Sequence, residues 1–151
     1  MSTASIVPRR KLMPHDFTPT GGAYSHGISV QLDDGAVIFT TGQLAIDPQS
    51  HVVGIGDVAT QTRYVIENVG RILADGGAGL QDIVKGQIFL LDIGDVAAVM
   101  TVFDSYLDSV RPVLTVLEVS GLARDDCVVE FEAMAFCTGT HEDATKENAA
   151  P

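Results

Sequence analysis

At 151 residues the chain suits one domain built around one hydrophobic core. Its formal net charge of −11, from 9 Lys and Arg against 20 Asp and Glu, argues against a protein that grips nucleic-acid backbones with clustered cations. No apolar run approaches the roughly 20 residues of a membrane span, and residues 1–11 carry arginines without the apolar stretch of a secretory signal.

The first twenty residues hold Pro8, Pro14 and Pro19 and show no periodicity, so residues 1–21 are read as an extended arm. Residues 28–32 and 36–41 are apolar runs flanking Asp33-Asp34-Gly35, which predicts a β-hairpin around an Asp-Gly turn. Residues 43–56, punctuated by Pro48, Gly54 and Gly56, read as loop. Asp57 then opens a helix whose apolar positions Val58, Val65, Ile66, Val69, Ile72 and Leu73 recur at three- and four-residue steps. The run Asp75-Gly76-Gly77-Ala78-Gly79 ends it, with glycine available for a left-handed cap. Residues 83–91 form a β run. Asp92 or Asp95 caps a second helix with Val96, Val99, Met100, Phe103 and Leu107 as its buried stripe. Pro112 forces the chain out of that helix at about Val110. Residues 113–119 are β, 121–126 a turn, and 127–136 the last strand. Residues 138–151 are small and polar and are expected to form a disordered tail, which leaves residues 22–137 as the ordered domain. The order β-β-α-β-α-β-β describes an α+β fold with two helices on one face of the sheet.

The last strand alternates: Val129, Phe131, Ala133 and Ala135 face one way, Val128, Glu130, Glu132 and Met134 the other. The first set should meet the helices. On the strand before it, Leu114 and Val116 share one parity while Val113, Thr115 and Leu117 share the other, so both of its faces are apolar. Two helices cover only one side. The uncovered apolar face predicts a closed homo-oligomer.

Chemical motifs of the common kinds are missing: there is no P-loop, dinucleotide fingerprint, H-E-x-x-H or G-x-S-x-G. His15, His26, His51 and His141 lack ligand spacing, and Cys127 and Cys137 make no C-x-x-C pair. A reduced, cytoplasmic protein is expected, with no metal or cofactor and no nucleic-acid or membrane partner. Several short stretches nonetheless carry a resemblance. Ala23-Tyr24-Ser25-His26 precedes the first strand, and Thr40-Thr41-Gly42-Gln43 with Asp47-Pro48 follows the second. Asn68 and Leu73-x-x-x-Gly77 lie in and after the first helix, and Asp92-x-x-Asp95 precedes the second. Pro112-x-x-Thr115-x-x-Glu118-Val119 and Val129-Glu130-Phe131-Glu132-Ala133 complete the set. In this order, over residues 22–136, they resemble the Rid (reactive intermediate deaminase, or YjgF) family.

That resemblance implies a chorismate-mutase-like homotrimer with three inter-subunit clefts that bind a small-molecule substrate. Similar proteins hydrolyse enamines and imines such as 2-aminoacrylate there; an arginine binds the substrate carboxylate, and a glutamate with backbone groups positions the water. Glu130 matches the glutamate, Tyr24 a cleft residue, and Thr41 and Gly42 main-chain contributors. The arginine position, two residues after the proline, is Leu114, which cannot make the forked hydrogen bonds a carboxylate needs. A helix-two asparagine of the family corresponds to Met100. By strand parity Arg111 should point away from Leu114, and Arg124 reaches a cleft only if its loop folds back. His26 is then the remaining candidate for proton transfer near neutral pH. These residues support either a Rid-like hydrolase whose substrate is not read by the usual arginine, or a non-catalytic binding trimer.

Overall fold

The computed structural model describes residues 8–138. In chain order its elements are β1 (Arg9–Leu12), β2 (Gly27–Leu32), β3 (Gly35–Thr40), α1 (Val58–Asp75), β4 (Ile83–Leu90), α2 (Val96–Leu107), β5 (Val113–Glu118) and β6 (Val129–Thr138). They make one sheet in the order β1-β2-β3-β6-β4-β5. Every pairing is antiparallel except β4 with β5, which are parallel because α2 carries the chain across between them. The α+β architecture with both helices on one face is therefore present, with one strand added at the front.

That added strand lies within the stretch read as an extended arm, residues 1–21, and pairs part of it with the sheet. Residues 9–12 pair with β2, yet only Leu12 among them is apolar and buried, so three charged neighbours hide the alternation. The tail expected at residues 138–151 falls outside the described residues except for Thr138, which closes β6.

Local chemistry fixes the element ends. The Asp57 carboxylate accepts from the Thr60 amide at 3.0 Å and caps α1. At the other end Gly77 takes φ 83°, and the Ala78 amide returns to the Leu73 carbonyl at 2.9 Å. Asp92 caps the short 3₁₀ turn Ile93–Asp95 rather than α2, accepting from the Gly94 amide at 2.7 Å. The second helix stops at Leu107, three residues before the expected exit. The amides of Val110 and Arg111 both donate to the Leu107 carbonyl, winding residues 108–110 into a turn ahead of Pro112. At the hairpin, Gly35 belongs to β3 rather than to the turn: a Cβ there would sit 2.2 Å from the Cys137 carbonyl oxygen of the neighbouring strand.

The core lies between the helices and one sheet face. Val65, Ile66, Val69, Ile72 and Leu73 of α1 and Val99, Phe103 and Leu107 of α2 cover Ile38, Ile88, Leu90, Val129, Phe131 and Ala135. Phe103 and Phe131 meet edge to face, ring centroids 4.9 Å apart, both essentially inaccessible. Phe103→Ala and Phe131→Ala are each expected to cost about 3–5 kcal/mol in chemical denaturation. The double variant should lose less than the sum, because the two rings share one contact; strict additivity would mean that this pair is not the centre of the core.

Candidate functional site

Register places every side chain of the face away from the helices. Pairing of Lys11 with Ile28, Ile28 with Phe39, and Phe39 with Met134 makes one row, and Arg9, Val30, Val37 and Phe136 make the next. Across the centre, Glu132 is opposite Gln87 and Glu130 opposite Phe89, with Thr115 and Leu117 beyond them on β5. Large apolar side chains are left open on this face: Val113 is 68 % exposed, and Phe39, Leu117 and Phe136 each about two-fifths. The uncovered apolar surface expected from the strand parities is thus present in the chain.

Glu130 stands on this face where β3 has just ended. The chain past Thr40 stays alongside β6: Gln43 and Phe131 exchange backbone hydrogen bonds of 2.8 and 3.1 Å, and the Thr40 hydroxyl accepts from the Ala133 amide at 2.9 Å. Between these two ties lie Thr41 and Gly42. A Cβ on Gly42 would fall 1.8 Å from Glu130 Oε1 and 2.8 Å from its Cδ, so the carboxyl group rests directly on the glycine backbone. Its carboxylate takes part in no salt bridge among the described residues. Burial, and then the neighbouring Glu132 carboxylate, push its pKa above the ordinary carboxylate value. A half-buried, unpaired carboxyl of raised pKa, with backbone groups beside it, can accept a proton from water or return one.

Tyr24, more than half exposed, and Thr41 line one open cavity of about 970 Å³ over β1, β2 and β3. The Thr41 amide is held by the His26 carbonyl at 2.8 Å. His26 itself turns elsewhere. Its ring is buried under the 13–20 segment, edge-on to Phe17 at 4.6 Å, and its Nε2 bonds the Thr18 carbonyl at 2.7 Å. Since a carbonyl only accepts, Nε2 carries the proton. The bare Nδ1 is sealed from solvent without a partner, and burial lowers the ring's pKa. The Arg71 guanidinium lies over Phe17, 4.7 Å from the ring centroid, and bonds the carbonyls of His15 and Asp16. This geometry gives His26 the work of fastening the arm and does not bring it to Glu130.

Leu114 is likewise separated from Glu130. A Cβ on Gly86 would touch both Phe131 and Leu114, which places Leu114 on the helix-covered side. There it lines a groove of about 520 Å³ with Met100, Phe103, Leu107 and Arg111. The expectation that Arg111 points away from Leu114 is corrected by this groove. Arg111 adopts φ 51° and lies outside β5, so strand alternation does not extend to it; its guanidinium is paired with Asp108 at 3.1 Å. Arg124 does fold back, but onto the Ser50 carbonyl, tying two loops together and entering neither cavity. Cys127 is buried and its thiol pKa is pushed up by that burial, as suits an inert apolar residue. Among the described residues no group of acids, histidines and cysteines could hold a metal ion, and no helix is long and apolar enough to cross a membrane. Residues that line the Tyr24 cavity and were passed over in the sequence are Arg9, Arg10 and Lys11; their only signal was a run of three cations ahead of a leucine.

Comparison with known proteins adds the following. The family model described as endoribonuclease L-PSP matches residues 16–137. A RutC family protein of Pyrococcus abyssi is 39 % identical over 115 residues, covering 76 % of this chain and 87 % of that protein. A protein of Acinetobacter baylyi named 3-aminoacrylate deaminase RutC is 34 % identical over 129 residues, 85 % and 98 % of the two chains. The crystal structure of the YjgF gene product of E. coli superposes with a TM-score of 0.71 at 28 % identity, covering 83 % of this chain and 97 % of that one.

The Gly42 contact makes a local prediction. Glycine here has no left-handed φ, so alanine fits the backbone, and the clash falls on the movable end of Glu130. Gly42→Ala should displace the carboxyl toward solvent and return its NMR titration toward the ordinary carboxylate range, with thermal stability little changed. A titration that does not move would show that the two groups are not in contact.

Proposed function

Because this chain belongs to the endoribonuclease L-PSP family, the family of the Rid and YjgF proteins, we propose that it is a Rid-like hydrolase that deaminates an enamine or imine in clefts shared between copies of the chain. The observation that carries this reading is the unpaired Glu130 carboxyl seated on Gly42. The name borne by the Acinetobacter relative, 3-aminoacrylate deaminase, supports a deaminase-type function at the level of the family. The net charge of −11 weighs against the phosphate backbone that the family description would suggest as substrate.

In the proposed reaction an enamine first tautomerises to its imine, gaining a proton on carbon and losing one from nitrogen. Water then adds to the imine carbon while Glu130, as carboxylate, accepts the water's proton. That proton passes to nitrogen to give a carbinolamine; when the hydroxyl proton follows it to nitrogen the C–N bond breaks, and ammonia leaves behind a carbonyl group. Thr41 and Gly42 present main-chain groups beside that carboxylate, and Tyr24 walls the adjoining cavity.

Placement of the residues supports a shared cleft. Tyr24, Thr41, Gly42 and Glu130 belong to the open face, while Leu114 and Met100 line the groove on the helix side. One subunit cannot close both sets around a small molecule; a neighbouring copy that covers the open apolar face can. We take that assembly to be the homotrimer. Light scattering of the full chain at micromolar concentration should then give three times 15.9 kDa, and a stable species of 15.9 kDa would remove the shared cleft.

The apolar pair Leu114 and Met100 also favours a second reading, a non-catalytic trimer that binds an apolar ligand. Glu130→Gln separates the two. For the hydrolase, ammonia release from imines generated in situ should fall by about 10²–10⁴-fold, the usual worth of a general base. In the unaltered protein the acid limb of kcat/KM should lie above the ordinary carboxylate range, with rate lost as pH falls and Glu130 gains its proton. No release above buffer favours the binding protein, and activity indifferent to Glu130→Gln removes Glu130 as the base.

A further inference from the structure

The cavity beside Tyr24 has a lining that divides by chemistry. Ile28, Val30 and Phe39 bring apolar side chains to it, Tyr24 and Thr41 hydroxyl-bearing ones, and Arg9, Arg10 and Lys11 of β1 border it. No Asp or Glu lines it among the described residues. That is unexpected in a chain with more than twice as many acids as cations. Strand alternation produces the arrangement: Arg9 lies opposite Val30 and Lys11 opposite Ile28, both on the open face. Arg10, between them, faces the other side and pairs with Asp75 at the end of α1, 3.7 Å away. Neither Arg9 nor Lys11 joins a salt bridge among the described residues.

We propose that this cavity is a site for an organic carboxylate with an extended apolar body, its charge held by Arg9 and Lys11 and its body lying over Ile28 and Phe39 toward Thr41. A guanidinium and an ammonium on alternate residues of one strand offer the forked and point-charge donors a carboxylate accepts. An apolar lining with a few polar groups is the ordinary make-up of a small-molecule pocket. Length follows from topology. β1 is three strands from β6, about 14 Å across at a strand spacing of roughly 4.8 Å, and the row of Lys11 meets β6 at Met134, roughly a further 13 Å along the strand from Glu130 at about 3.3 Å per residue. A three-carbon acid held by Lys11 therefore does not reach Glu130, whereas a longer extended body running diagonally toward Thr41 approaches it. The cationic anchor missing at Leu114 is supplied from a different strand, for a longer substrate. The proposal rests on the hydrolase reading only in taking the Thr41–Gly42 end as the reacting end.

Calorimetric titration of the full chain with octanoate, octanamide and acetate tests it. Octanoate should bind at least about tenfold more tightly than octanamide, which keeps the body without the charge, and than acetate, which keeps the charge without the body. The preference over octanamide should fade at high salt and disappear in the Arg9→Gln/Lys11→Gln double variant. Both side chains are exposed on an edge strand, so that variant is expected to fold; circular dichroism and light scattering check this, and single Lys11→Gln takes its place if the assembly is lost. Equal affinities for octanoate and octanamide, no octanoate binding at all, or a preference that survives the substitutions would each overturn the site. Imine hydrolysis by the unaltered protein keeps the two readings apart. Octanoate binding that persists while no imine is hydrolysed would sink the hydrolase and leave the carboxylate site standing.

Discussion

The placement of β6 between β3 and β4 is the constraint from which the rest of the molecule follows. A central strand has both edges paired, so its side chains have only two directions available, and in Val129–Thr138 they divide cleanly. Phe131 is driven into the helices, where Phe103 meets it, and this anchors the register of the whole strand. Once that register is set, Glu130 has no choice but to stand on the opposite face. A slip of one residue would send Glu130 and Glu132 into the core and expose Phe131, at a cost far above the marginal stability of a domain this size. The site carboxyl is thus located by a hydrophobic contact on the other side of the sheet.

What surrounds Glu130 works against its ionisation. Its proton is held more tightly in the folded chain than in the unfolded one, because burial and Glu132 both disfavour the charge. From the ordinary carboxylate pKa up to the raised one, the folded state binds more protons, so stability declines as pH rises through that window and the penalty remains above it. Gly42 accommodates the group without relieving it, since a glycine supplies room and no side-chain partner. A structural carboxylate would ordinarily be given a cation or a ring of amide donors, as Asp47 is by the amides of Gln49 and His51 and Asp57 by Thr60. That contrast within one chain sets Glu130 apart from Asp47, tied into a turn, and Asp57, a helix cap.

Strong periodic signals made most of the fold legible in the sequence. The α1 stripe, the hairpin and the alternation in β6 are long enough that packing and propensity agree. Residues 9–12 were not legible, since an edge strand of four residues needs to bury only one side chain, and Leu12 alone gives no pattern. The direction of Arg111 was misread for a related reason: parity arguments hold only within a strand, and its left-handed φ breaks the sequence of alternation one residue before Pro112. His26 looked chemically promising because imidazole titrates near neutral pH, but its surroundings are long-range. Phe17, Thr18 and the Arg71 that closes over them come from two other segments, and no spacing announces their meeting. Glu130 itself was found through a motif; its contact with Gly42, which depends on how β3 runs on past its end, was not.

Charge and apolar surface divide between the open face and the groove beside α2. With Leu114 and Met100 in the groove, the α2 side contributes apolar walls, and its nearest cation, Arg111, is already committed to Asp108. A leucine in that place is destabilising to nothing: it packs on the core beside Phe131, where a guanidinium would have to leave the apolar layer to find water. Cations are instead concentrated on β1, where solvent solvates them at no cost to the core and where alternation aims two of three at the same cavity. Cations on the edge strand stand three strands away from the Glu130 carboxyl on β6. Specificity in such a site is then set by the length and apolar character of what lies between Lys11 and Glu130, rather than by the carboxylate alone.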